Sequence, residues 1–191
     1  MLKRRRGLLA LFCTAAVIAV GAWAKSGPPA VHFMGKTYRL ASFHAKDQAT
    51  WQFYLEGETA DNWTTMFTIV DRPEAQSGKE IDKLADDVKA DYAAHGGKVF
   101  VTQKNQDVNG DYTYVVVGYD SPAKQTYELQ FVKIGKKFRN GYVASYGVRI
   151  TDPKDYAAKT KAFLHGQSIE IAKALAEVSL PDIGKLPRTE Q

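Results

Sequence analysis

The segment Glu56-Gly57-Glu58-Thr59-Ala60-Asp61-Asn62-Trp63 sets three carboxylates, an amide and an indole within eight residues. Two uses of such a cluster compete. Loop acids beside an exposed aromatic form a rim that meets a partner. Alternatively, Asp61 or Asn62 bonds nearby backbone amides and shapes a turn, while Trp63 enters the core. The binding alternative rests on Glu58, Asp61, Asn62 and Trp63. Asn62-Trp63-Thr64 also satisfies the N-glycosylation sequon, which matters only in a eukaryotic secretory route.

A second oxygen-rich run, Asn105-Gln106-Asp107-Val108-Asn109-Gly110-Asp111, has side-chain oxygens at alternate positions followed by glycine, like the opening of a calcium loop. The closing bidentate glutamate is missing, because Val116 stands there. Asn109-Gly110 tolerates the positive φ of a tight hairpin, so a turn is expected and no metal site is assigned. His32, His44, His95 and His165 are scattered, without the i, i+4 pair that a zinc protease places on one helix face. His95 precedes Gly96-Gly97 and is expected to complement a helix C-terminus. Gly35-Lys36-Thr37 resembles the end of a phosphate loop, yet Ala30 occupies the place of the first glycine. Ser145 has Val143 two residues before it, where a nucleophile elbow needs glycine. Tyr112, Tyr114, Tyr119, Tyr127, Tyr142 and Tyr146 would form either a stacking surface or cross-strand pairs, and pairing is the expectation. No catalytic residue and no cofactor is assigned.

The elements that position these residues follow from periodicity. Val31 to Met34 and Thr37 to Leu40 flank Gly35-Lys36, which suggests a hairpin or one bent strand. Trp51, Phe53 and Leu55 alternate with polar residues, and Trp63 to Val70 is rich in β-branched and aromatic residues. Ser77 and Glu80 make a capping box, and Ile81, Leu84, Val88 and Tyr92 then share one helical face up to the stop at Gly96-Gly97. Strands are expected at Lys98–Gln103, Tyr112–Tyr119, Tyr127–Ile134 and Tyr142–Ile150, with connections too short for parallel crossovers. Asp152-Pro153 opens a last helix carrying Phe163, Leu164, Ile171, Leu175 and Val178, with a break or kink at Gly166 and an end at Pro181. The expected fold is α+β: one antiparallel sheet of about six to eight strands covered by two main helices.

The leader bounds the compartment. Lys3-Arg4-Arg5-Arg6 precede an uncharged apolar run from Gly7 to Val20, and Ala22-Trp23-Ala24 offers small residues to a signal peptidase. Residues 1–24 read as a signal sequence of the general secretory pathway, with an uncleaved membrane anchor as the rival. Residues 25–30 read as a linker, 31–180 as a single domain and 181–191 as a polar C-terminal tail. Taking the leader's four basic residues from the total of 26 Lys and Arg leaves 22 against 21 acids, so no basic patch argues for nucleic acid. The single cysteine, Cys13, leaves with the leader, which removes thiol and disulfide chemistry from the remainder.

Phe53-Tyr54-Leu55-Glu56-Gly57-Glu58-Thr59, Asn62-Trp63-Thr64-Thr65 and Thr68-Ile69, followed by a capped helix, resemble a group of uncharacterised exported proteins of proteobacteria. The element order is similar to the PsbP-like sandwich, which implies a sheet between helices. Neither resemblance implies a catalytic residue. The functional expectation is a periplasmic or secreted, non-enzymatic binding or accessory protein of the cell envelope. Its partner would be another envelope protein or a small ligand, with no nucleic acid, and with membrane contact only through an uncleaved signal. The alternatives are a hydrolase built from dispersed acids and histidines, and an immunity or inhibitor protein that caps a partner enzyme.

Overall fold

Alternation of large apolar and polar residues builds eight strands: β1 (Ala30–Phe33), β2 (Lys36–His44), β3 (Thr50–Tyr54), β4 (Thr65–Arg72), β5 (Lys98–Asp107), β6 (Gly110–Ser121), β7 (Thr126–Lys137) and β8 (Asn140–Ile150). Helix α1 (Gly78–Ala94) lies between β4 and β5, and α2 (Tyr156–Glu177) follows β8. The computed structural model describes residues 27–45, 48–107, 110–121, 126–137, 140–151 and 155–189. The expected leader (1–24), the start of the linker, Val108-Asn109 and Asp152-Pro153 lie outside the described residues.

The strands form one antiparallel sheet in the order β1-β2-β3-β4-β8-β7-β6-β5. Two consecutive meanders, β1 to β4 and β5 to β8, are therefore joined through the β4·β8 pair. Met34 (φ 48) and Gly35 (φ 72) both adopt positive φ at the β1–β2 turn, as the twist of a two-residue hairpin demands.

The sheet is not a layer covered by two helices, as expected, but a curled half-barrel. Phe33 of β1 and Tyr146 of β8 show why. Four strand spacings separate them, about 19 Å in a flat sheet at roughly 4.8 Å per step, yet their ring centroids are 4.7 Å apart. Phe33 also reaches Phe67 of β4 at 5.5 Å. The concave face closes largely on its own side chains. Trp51, Phe53, Phe67, Leu129 and Phe131 there are fully buried, and each contributes about 1.5–3 kcal/mol of transfer free energy. Bulges between Leu40 and Ser42 and between Val99 and Val101 bend the strands locally.

Each helix covers only part of one face. On the convex side α1 buries Ile81, Leu84 and Ala85 against Val115, Val117, Val132 and Ile134. Its capping box is formed: Glu80 N–H donates to Ser77 Oγ (3.3 Å), and Ser77 N–H donates to Glu80 Oε2 (2.8 Å). On the concave side α2 sets Ile171 and Leu175 into the aromatic core, with Phe163 6.0 Å from Phe131. Helix α2 runs through Gly166 without the expected break. The stretch expected as a polar tail is docked: Ile183 and Leu186, like Leu180 just before it, are buried in the concave core. Trp51 Nε1–H donates to Pro187 O at 2.7 Å, and Arg188 pairs with the buried Asp71 at 2.8 Å.

Candidate functional site

The loop from Glu56 to Thr64 brings Glu58, Asp61, Asn62 and Trp63 together and commits most of them to the loop itself. Glu58 Oε1 accepts from Thr64 N–H (3.1 Å) and Thr64 Oγ1–H (2.5 Å). Asn62 Oδ1 accepts from Thr59 N–H (2.6 Å) and Thr59 Oγ1–H (3.1 Å), a local side-chain turn. Trp63 is 5% exposed and packs on Tyr54 and Met66. The Arg149 guanidinium lies 4.0 Å from the centre of the Trp63 ring, donates to Asp61 O (3.1 Å) and pairs with Glu128 (3.1 Å). This arginine fastens the loop to β8 by stacking and hydrogen bonding together. Asp61 presents its side chain to solvent. Below the loop, Tyr38 Oη lies 3.0 Å from Thr65 Oγ1. Burial, and to a lesser degree the Glu58 carboxylate, raises the Tyr38 hydroxyl above the usual phenol range.

The calcium-like run is a hairpin, in which Asp107 pairs with Gly110 across β5 and β6. Asp111 accepts from the Gln106 amide (3.2 Å), and Asp107 turns inward to Lys133. Among the described residues no three His, Cys, Asp or Glu side chains gather as metal ligands. The histidines stay apart: His32 Nδ1 meets Thr37 Oγ1 at 3.0 Å, and His44 is exposed at the end of β2. His95 is the C-cap of α1, with Nδ1 2.8 Å from Asp91 O. Tyr112, Tyr114, Tyr142 and Tyr146 are buried on the concave face. Tyr119, on the convex side, packs on Tyr92 at 5.6 Å, and burial pushes its hydroxyl up to about 12.

Sequence reasoning passed over Lys133. Parity places it on the concave face of β7 with Leu129 and Phe131, and it is 1% exposed. Its ammonium donates to Asp107 Oδ2 (2.5 Å) and to Ala176 O (2.9 Å), and lies 4.7 Å from the centre of the Tyr112 ring. Ala176 is in the last turn of α2, where carbonyls lack helical partners and carry the negative end of the dipole. Lys137 donates to Leu180 O close by. The two lysines thus clasp the end of α2 and the chain beyond it to the sheet. A cavity of about 630 Å³ opens beside them, lined by Gln106, Asp107, Lys137, Tyr142 and residues 176–180.

A second hollow lies at the other end of α2. It is a groove of about 330 Å³ walled by Phe100, Tyr127, Ala157 and Leu164, with Thr160 in its lining and Lys98, Lys161 and His165 around it. Gly118 makes it possible. A Cβ there would stand 2.3 Å from Tyr127 Oη and 2.6 Å from Phe100 Cε2, so both rings lie over a strand position that has no side chain. Phe100 remains 38% exposed, an unusual state for a phenylalanine beside a core. Thr160 is 7% exposed, and its Oγ1 is buried without a hydrogen-bond partner. Leaving such a hydroxyl unsatisfied costs about 1–3 kcal/mol, so its place in the lining calls for a physical explanation. Among the described residues the lining contains no carboxylate. A phenylalanine at the bulge of the edge strand and a glycine on the neighbouring strand, paired with Lys98, are the features that point here.

The chain belongs to an uncharacterised protein family, whose model matches residues 26–182. No curated protein matches it in sequence.

Proposed function

We propose that this chain is an exported, non-enzymatic binding protein of the cell envelope, of the proteobacterial kind that its sequence resembles, and that it holds a small ligand in the groove between α2 and strands β5 and β7. The observation that carries the reading is the open wall of Phe100, Tyr127 and Leu164 around a buried, unpartnered Thr160 hydroxyl. An apolar hollow with few polar groups is the usual form of a ligand site, and 330 Å³ falls within the range of about 300–1,000 Å³ that such sites occupy. Of the acids and histidines that a hydrolase would need, one histidine, His165, lies in the lining, but among the described lining residues no acid joins it: Asp107 is turned to Lys133, and His32, His44 and His95 stand elsewhere. Export is supported by the basic and apolar leader over residues 1–24.

The test has two arms. Envelope fractionation followed by N-terminal sequencing should find the chain outside the cytoplasm, beginning at Lys25. Solvent extraction of natively purified protein, analysed by mass spectrometry, should release a small molecule that is absent from a Leu164→Lys variant. Full-length protein in the cytosol would overturn the export reading. Identical extracts from the two proteins would overturn the groove as a ligand site.

A further inference from the structure

Resting on the groove as a ligand site, we infer that its ligand is an amphipathic carboxylate: a medium-length hydrocarbon or ring body with one anionic head. Three observations converge on that class. The walls are apolar and aromatic, with Phe100, Tyr127 and Leu164 giving a hydrocarbon body a surface to cover. Burial of that surface contributes about 25 cal/mol per Å² of apolar area removed from water. Among the described residues the charged groups of the lining are Lys98 and Lys161, joined by His165, with no carboxylate. An anion entering the groove therefore gains Coulomb attraction, and a cation of the same shape loses it. Of the five buried, unpartnered side-chain polar atoms among the described residues, one belongs to the lining: the Thr160 hydroxyl, next in sequence to Lys161. A hydroxyl can donate to a carboxylate oxygen, and a charge-assisted bond is stronger than a neutral one.

In this arrangement the carboxylate takes the Thr160 proton as a hydrogen bond while Lys98 and Lys161 supply counter-charge. The hydrocarbon lies along Phe100, Tyr127 and Leu164. The Lys98 ammonium stands 5.7 Å from the centre of the Phe100 ring, and Lys98 is one of the lining residues. The volume selects a free amphiphile over a membrane lipid: 330 Å³ is near the lower limit for a small-molecule site, and two acyl chains with a headgroup exceed it.

Isothermal titration of the full domain with three probes of one chain length decides the matter: decanoate, decanol and decyltrimethylammonium, each below its micelle concentration. The expected result is that decanoate binds at least tenfold more tightly than the other two. Lys161→Glu should weaken it tenfold or more, and Thr160→Val should weaken decanoate while leaving decanol unchanged. Circular dichroism and the urea midpoint identify a variant that fails to fold, and Lys98→Glu then serves in its place. Equal binding of decanol and decanoate overturns the anionic head and leaves the groove reading standing. Binding of none of the three overturns both. Binding of phosphatidylglycerol vesicles without decanoate binding overturns the free carboxylate in favour of a lipid surface.

Discussion

Replacing Lys133 by methionine removes a charge that is 1% exposed and holds three partners: Asp107 Oδ2 at 2.5 Å, Ala176 O at 2.9 Å and the face of Tyr112 at 4.7 Å. Methionine keeps the length and most of the volume, so packing changes little and the loss is electrostatic. Breaking a buried ion pair by removing one partner costs about 3–5 kcal/mol, against a total of roughly 5–15 kcal/mol for a folded domain. At a urea slope of about 2 kcal/mol per molar, the midpoint should fall by about 2 M. The double variant Lys133→Met with Asp107→Leu should regain more than half of that loss, because an apolar pair of similar volume is close to neutral against the ion pair. Urea denaturation followed by tryptophan fluorescence measures both, and Trp51 in the concave core reports the unfolding. A loss below about 1 kcal/mol for Lys133→Met, the range of surface ion pairs, would refute the clasp of α2 by Lys133.

Gly118→Ala should displace the Phe100 and Tyr127 rings, since its Cβ would meet them at 2.6 and 2.3 Å. A destabilisation of about 1–3 kcal/mol, seen as a lower thermal midpoint, and a loss of decanoate binding are expected. Trp63→Ala should destabilise the fold by about 3–5 kcal/mol in urea and leave decanoate affinity unchanged, because the indole is 5% exposed and is not among the residues that line the groove. Bonds from the Ser77 hydroxyl and from the Gln76 and Ser77 amides hold the Glu80 carboxyl below the usual glutamate range. A depressed carboxyl stabilises the fold above its unfolded pKa, and that contribution is lost as pH falls through the folded value. Glu80→Gln should therefore lower the urea midpoint at neutral pH, and the gap from the parent should close progressively in acid. A gap that widens in acid would refute the capping box as its cause.

Local signals were legible where a residue's role depends on its near neighbours. The Ser77–Glu80 box, the turn at Asn62 and the antiparallel order of β5 to β8 all follow from spacing over a few residues. The curl of the sheet did not, because alternation tells which residues share a face and not how far that face bends. The curl brings Phe33 against Tyr146, 113 positions away in sequence, and bulges at Leu40/Ser42 and Val99/Val101 add local irregularity. The same limit hid the docking of Leu180, Ile183 and Leu186. Their spacing of three looks helical, yet only one short 3-10 turn at Ile183–Lys185 forms there. Lys133 read as one more strand lysine, since its partners come from β5 and the end of α2. The residues singled out at Glu58, Asp61, Asn62 and Trp63 were chosen for chemistry, and the first and the last two of them serve the loop itself. The groove joins Phe100, Tyr127 and Leu164 from three separate elements, a meeting that only the fold makes visible.

The most direct test is a two-dimensional amide NMR titration of the labelled domain with decanoate. Shifts concentrated at Lys98, Phe100, Tyr127, Thr160 and Leu164 are expected, saturating together with one affinity. Shifts centred instead on Asp107, Tyr142 and Leu180 at the opposite end of α2, or no shifts at saturating decanoate, would contradict the account.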